Sequence, residues 1–138
     1  MKKAKIPAVL NKLEDMLDFI ICDLVKVVPD KKFVNQVRLC CEEVLVNIIS
    51  YAYPHGQGEV EIIIDITEDK GSLLIQFIDE GIYYNPLLKS DPDLDSPIED
   101  RGIGGLGIYL YKTIMDEVLY ERRDEKNVLT FKKKFQKN

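Results

Sequence analysis

The sequence predicts an α+β fold, with helices packed on one face of a mixed, mostly antiparallel sheet. Three observations predict it. Strand-like runs rich in β-branched residues come in consecutive pairs, at 59–66 with 72–79 and near 117–123 with 127–135, each pair joined by a short polar turn. Segments with apolar residues at helical spacing lie before each pair. The length, 138 residues, suits one domain (1–138) with a real core. The order β-α-α-β-β-loop-α-β-β makes sequential strands neighbours and leaves the helices one side to cover.

Each element has its own signal. Residues 2–6 read as a short opening strand closed by Pro7. From about Val9 to Val28, Leu13, Met16, Leu17, Ile20, Ile21, Leu24 and Val25 recur at helical spacing. Pro29 breaks that run, and Asp30 is a candidate N-cap. A second helix is expected from about Lys31 to Tyr53, with Val37, Cys41, Val44, Leu45, Ile48 and Ala52 on its apolar side and Pro54-His55-Gly56-Gln57-Gly58 as its stop. Glu68-Asp69-Lys70-Gly71 joins the first strand pair, and Asp124-Glu125-Lys126 the second. Residues 80–104 carry Pro86, Pro92 and Pro97 among many acids and read as one long loop, a common place for a binding segment. A third helix is expected from about Gly105 to Met115.

Composition narrows the function classes. The net charge of −5 argues against a nucleic-acid partner, which needs a clustered basic surface. No apolar stretch is long enough to span a bilayer, and the first residues lack the pattern of a signal peptide, so a cytoplasmic protein with no membrane partner is expected. Cys22, Cys40 and Cys41 have neither disulfide nor zinc spacing and are expected as reduced, buried or half-buried thiols. With a single histidine, His55, a metal cluster is not expected.

Three features carry chemistry. Gly102, Gly104, Gly105 and Gly107 fall within six residues at the start of a helix. Such a cluster can aim free backbone N–H groups and the positive helix end at an anion, usually a phosphate; it can also be only a pliant turn. Glu43 and Asn47 are four apart in the second helix and point to nearly the same side. Asn47 is a poor helix former among apolar neighbours and needs a partner or ligand. Its carbonyl oxygen suits Mg²⁺, and Glu43 can accept a proton or hold a metal-bound water, although both residues could equally sit on a solvated face. Asp79 ends a strand as Asp79-Glu80-Gly81. It can cap the following turn or accept a hydrogen bond from a purine amino group, with Gly81 leaving room for the base.

In this order the three features resemble the GHKL ATPase superfamily and its two-layer α/β sandwich, the Bergerat fold. Within that superfamily the chain resembles the anti-sigma factor serine/threonine kinases. Glu42-Glu43-Val44-Leu45-Val46-Asn47-Ile48-Ile49 with Tyr51-Ala52-Tyr53 matches the N box. Asp79-Glu80-Gly81 through Asn85-Pro86 matches the first glycine box, and Arg101-Gly102-Ile103-Gly104-Gly105-Leu106-Gly107, followed by Met115-Asp116, matches the second.

The resemblance implies ATP and Mg²⁺. Glu43 would be the general base toward a serine or threonine hydroxyl, and Asn47 would coordinate the Mg²⁺ that bridges the phosphates. Asp79 would recognise the adenine amino group, with Gly81 beneath the base. Gly102, Gly104, Gly105, Leu106 and Gly107 would belong to a phosphate lid. Arg101 would either neutralise phosphate charge or remain a solvated loop residue. The implied partners are a small anti-sigma-factor antagonist, a sigma factor and a second copy of the chain in a homodimer.

The sequence departs from the family pattern at several points. Tyr83 stands where many relatives carry a small residue, and Ser50 where histidine kinases often carry a lysine. The family's nucleotide-contacting threonine near the last strand has no secure match, with Asn127-Val128 and Thr130 both left as alternatives for its place. No upstream helix pair with a phosphoacceptor histidine is present, which disfavours a histidine kinase. Tyr83 and the threonine without a secure match keep a second reading open: a catalytically silent, nucleotide-dependent binding module.

Overall fold

The computed structural model describes residues 1–90 and 105–136. Five strands form one sheet: β1 (Lys2–Pro7), β2 (Glu59–Thr67), β3 (Ser72–Asp79), β4 (Glu117–Arg123) and β5 (Lys126–Lys134). Their spatial order is β1-β2-β3-β5-β4, and every neighbouring pair is antiparallel. The sheet is therefore antiparallel throughout rather than mixed, because each strand pair is either a hairpin or an antiparallel return across the helix layer.

Alternation fixes the two faces of the sheet. Val60, Ile62 and Ile64 of β2, Leu73, Ile75 and Phe77 of β3, and Leu129 and Phe131 of β5 point to one buried side. On that side lie α1 (Leu13–Val27), α2 (Lys31–Asn47) and α3 (Gly105–Ile114). Phe131 is the centre of an aromatic contact set, with Phe77 edge-on at 5.4 Å and Tyr111 of α3 at 5.1 Å between ring centroids. The result is the two-layer α/β sandwich.

Local chemistry explains the boundaries. Asp30 caps α2, its carboxylate accepting from the backbone N–H of Lys32 at 2.9 Å and of Phe33 at 3.4 Å. Gly71 closes the β2–β3 turn at φ 62°, in the left-handed region that favours glycine. Asp124 and Glu125 take φ 53° and 64° in the two-residue β4–β5 turn, whose twist requires that conformation.

Several boundaries differ from those the sequence suggests. The first helix starts at Leu13, preceded by a 3₁₀ turn at Leu10–Lys12. The second does not run unbroken to Tyr53: the α-helix ends at Asn47 and a π-helical turn follows, Ile48–Ala52. Such a turn admits an extra residue and tends to mark functional positions. Within the expected loop, Pro86–Leu88 forms a 3₁₀ turn capped by the Asn85 side chain, which accepts from Leu87 N–H at 2.9 Å. Cys40 and Cys41 are buried as expected, and burial pushes the Cys40 thiol up to about 11. Cys22 is exposed instead, on the solvent side of α1 with the Lys2 ammonium 3.3 Å from its sulfur. Among the described residues, no helix is long and apolar enough to cross a membrane.

Candidate functional site

The π-helical turn and the tyrosine that follows it are tied to the sheet and its flanking loop by three hydrogen bonds. The Tyr53 hydroxyl donates to the Glu59 carbonyl at 2.6 Å and accepts from Glu80 N–H at 2.8 Å, so it joins the start of β2 to the end of β3. The Ala52 carbonyl accepts from Ile82 N–H at 2.9 Å. Gly81 packs directly on this turn. A Cβ there would collide with the Ala52 carbonyl oxygen and lie 2.6 Å from the Ala52 Cβ. Its missing side chain thus lets two backbones meet, in addition to any space it leaves for a ligand. Gly81→Ala should cost about 1–3 kcal/mol, the usual penalty of forcing atoms into a packed contact; urea unfolding of the two proteins measures it.

Between this turn, the end of β3 and the start of β5 lies a cavity of about 410 Å³, within the range of small-ligand sites. Asn47 and Ile48 line its helix side, Phe77 and Leu129 its floor, and Asp79 and Asn127 its polar end. Tyr51, Tyr83, Tyr84, Tyr111 and Tyr120 supply an aromatic wall. Tyr83, at the edge of this wall and largely exposed, meets Tyr120 edge-on at 6.1 Å.

Asp79 is 5% exposed. Its Oδ1 accepts from Gly81 N–H at 2.9 Å and from Asn127 Nδ2 at 3.0 Å. Burial raises its pKa, while the Asn127 and Gly81 bonds and the Arg122 guanidinium pull the other way. Both of these bonds end on Oδ1, and Asp79 itself lines the cavity.

Glu43 and Asn47 sit where their spacing places them, one turn apart on the same side of α2. Asn47 reaches the cavity. Glu43 is half-buried against α3, where a Cβ on Gly107 would collide with Oε2 and stand 2.9 Å from Cδ. Gly107 thus lies inside the first turns of α3 and leaves room for the Glu43 carboxylate. Gly105 is the first residue of α3, as expected, and Leu106 is exposed. Arg101, Gly102 and Gly104 lie outside the described residues.

A metal would have few protein ligands here. Among the described residues no group of three or more His, Cys, Asp and Glu side chains could enclose an ion. Mg²⁺ carried on phosphates needs only one or two protein ligands, and Asn47, whose side chain has a carbonyl oxygen, lines the cavity.

Asn127 is the residue that sequence reasoning left unassigned. The β3–β5 register sets it directly opposite Asp79, on the cavity side. Thr130 instead pairs with Gln76 across the strands, and its hydroxyl accepts from Gln76 Nε2 at 3.1 Å on the other face of the sheet. Tyr120 and Arg122 of β4 were missed altogether. Tyr120 donates to Asn127 Oδ1 at 2.6 Å and Arg122 to the Gly81 carbonyl at 3.0 Å. Alternation on β4 was the available signal, since positions 118, 120 and 122 share one face.

The chain is similar to several known proteins. The serine-protein kinase RsbW of Bacillus mycoides (strain KBAB4) is 33% identical over 88 residues, 61% of this chain and 54% of that protein. RsbW of Bacillus cereus (strain ATCC 10987 / NRS 248) is 32% identical over 89 residues, 62% of this chain and 54% of that protein. The serine/threonine-protein kinase BtrW of Bordetella bronchiseptica (strain ATCC BAA-588 / NCTC 13252 / RB50) is 32% identical over 94 residues, 68% of this chain and 66% of that protein. The matched part spans about half the length of the two RsbW proteins. The family model described as a histidine kinase-like ATPase domain matches residues 6–133, nearly the whole chain. By that match the chain belongs to the histidine kinase-like ATPase domain family, the GHKL group that its three motifs resemble.

Proposed function

We propose that this protein binds ATP with Mg²⁺ in the cavity beside Asp79 and transfers its γ-phosphoryl group to a serine of a small anti-sigma-factor antagonist. The observation that carries the reading is the Asp79 carboxylate, fixed through Oδ1 at the edge of a cavity that Asn47 also lines; we assign its second oxygen, Oδ2, to the ligand. An acceptor held at the dry end of an aromatic cavity suits the amino group of adenine. The similarity to RsbW and BtrW, whose names describe serine or serine/threonine kinases, supports the choice of phosphoacceptor.

The chemistry asks for positioning more than covalent work. The incoming serine oxygen attacks the γ-phosphorus, the bond from that phosphorus to the bridging oxygen breaks, and ADP departs. Glu43 takes the serine proton through its carboxylate. Asn47 offers the carbonyl oxygen that would hold Mg²⁺, which supplies charge neutralisation along the phosphates. Gly105 and Leu106 open α3 beside Glu43, so the positive end of that helix lies on the phosphate side. Arg101, Gly102 and Gly104 complete the proposed phosphate lid.

Gly107→Ala tests the placement of Glu43. Alanine favours a helix over glycine by up to about 1 kcal/mol, so the fold should not suffer. The added methyl group displaces the carboxylate, and a misplaced catalytic group costs on the order of a hundredfold. The expected result is a strong loss of phosphotransfer with an unchanged or higher melting temperature.

The partners follow from the same reading: an antagonist as substrate, a sigma factor as the held protein and a second copy of the chain, all in the cytoplasm. The deciding experiment incubates the protein with γ-labelled ATP and candidate antagonists, then maps the phosphosite. Label on an antagonist serine is the expected result. Antagonists that stay unlabelled while ATP still binds would overturn the kinase reading in favour of the silent binding module.

A further inference from the structure

We propose that Tyr120 and Asn127 are positioning residues that decide which oxygen of Asp79 faces the ligand, and so set the preference for a 6-amino over a 6-oxo purine. The inference rests on the nucleotide reading of the cavity and adds to it a specificity device outside the three motifs.

The hydrogen-bond inventory of Asn127 is full. Its Nδ2 has two hydrogens, one donated to Asp79 Oδ1 at 3.0 Å and one to the Ile82 carbonyl at 2.8 Å. Its Oδ1 accepts from Tyr84 N–H at 3.3 Å and from the Tyr120 hydroxyl at 2.6 Å. Asn127 thus has nothing left for a ligand and acts through Asp79. Its orientation is also determined. A backbone N–H can only donate, so the oxygen must face Tyr84 and the amide nitrogen must face Asp79.

Tyr120 supplies the shortest of the four bonds that hold this orientation. Its ring is braced by the edge contact with Tyr83. Without the hydroxyl, the Asn127 oxygen keeps only the 3.3 Å bond from Tyr84. The amide is then held by three bonds instead of four, and the donor it offers to Asp79 Oδ1 is less firmly fixed. While both donors are in place, Oδ1 is saturated and Oδ2 presents a pure acceptor at one point of the cavity. An exocyclic amino group satisfies that acceptor. A 6-oxo group sets oxygen against oxygen and is repelled. Discrimination therefore depends on how firmly Oδ2 is held, which Tyr120 controls from β4.

Calorimetric titration with ADP and with inosine 5′-diphosphate tests this, because the two ligands differ only in the base. The wild type should prefer ADP. Tyr120→Phe keeps the ring contact and removes one hydroxyl, and its preference should fall about fivefold, the worth of one hydrogen bond. Asn127→Ser leaves a single donor and should lower the preference in the same direction; it carries the test if Tyr120→Phe does not fold. A merely structural role would weaken both ligands alike and leave their ratio unchanged. A ratio within twofold of wild type in the folded variant or variants overturns the proposal while the nucleotide reading stands. A wild type that binds neither ligand overturns both.

Discussion

Glu43→Gln should lower phosphotransfer by about a hundredfold to ten-thousandfold, the range a general base contributes, while Mg·ATP affinity stays within about threefold of wild type. Glutamine keeps the length and shape of the side chain beside Gly107, so the contact between α2 and α3 is preserved. What it loses is the ability to accept the serine proton at neutral pH. Single-turnover transfer of labelled phosphate and equilibrium binding separate the two effects. Turnover equal to wild type would remove Glu43 as the base.

Asp79→Asn should weaken ATP binding by at least about a hundredfold without unfolding the protein. The amide oxygen can take over the Oδ1 position and still accept from Gly81 N–H and Asn127 Nδ2. The amide nitrogen then faces the cavity and sets a donor against the donor of the adenine amino group, a mismatch costlier than a missing bond. Stability should move the other way. Burial raises the Asp79 pKa above its ordinary value, so the native site holds the proton more tightly than the unfolded chain does. The stabilisation from that group is complete below the ordinary carboxylate value and is lost as pH rises through the raised one. At pH 7 the ionised, buried carboxylate costs stability that the amide does not. The variant should melt no lower than wild type at pH 7 and lose that advantage as the pH falls toward 4.

Much of the site was legible because it rests on short-range rules. Four residues of helix put Glu43 and Asn47 on one side, strand alternation points Asp79 inward, and the glycines announce a close approach. Asp30 as the cap of α2 and Gly71 in the first hairpin turn were legible for the same reason. What the sequence did not reveal depends on register between distant strands. Asn127 faces Asp79 only because β3 pairs with β5, a return across 48 positions that no local pattern encodes. Tyr120 joins the site because β4 lies outside β5 at the sheet edge. The π-helical turn at Ile48–Ala52 was hidden because Ile48 and Ala52 continue the helical spacing; the contact of Ala52 with Gly81 and Ile82, tertiary rather than local, accompanies it. The contact of Gly107 with the Glu43 side chain, between two helices, is tertiary as well and has no local signal.

The most direct test of the account is a calorimetric titration of the wild type and of Asp79→Asn with Mg·ATP, on samples whose melting temperatures match. The account predicts saturable heat from one site per chain in the wild type and none in the variant over the same concentrations. No heat from the wild type, or equal affinity in Asp79→Asn, would contradict it.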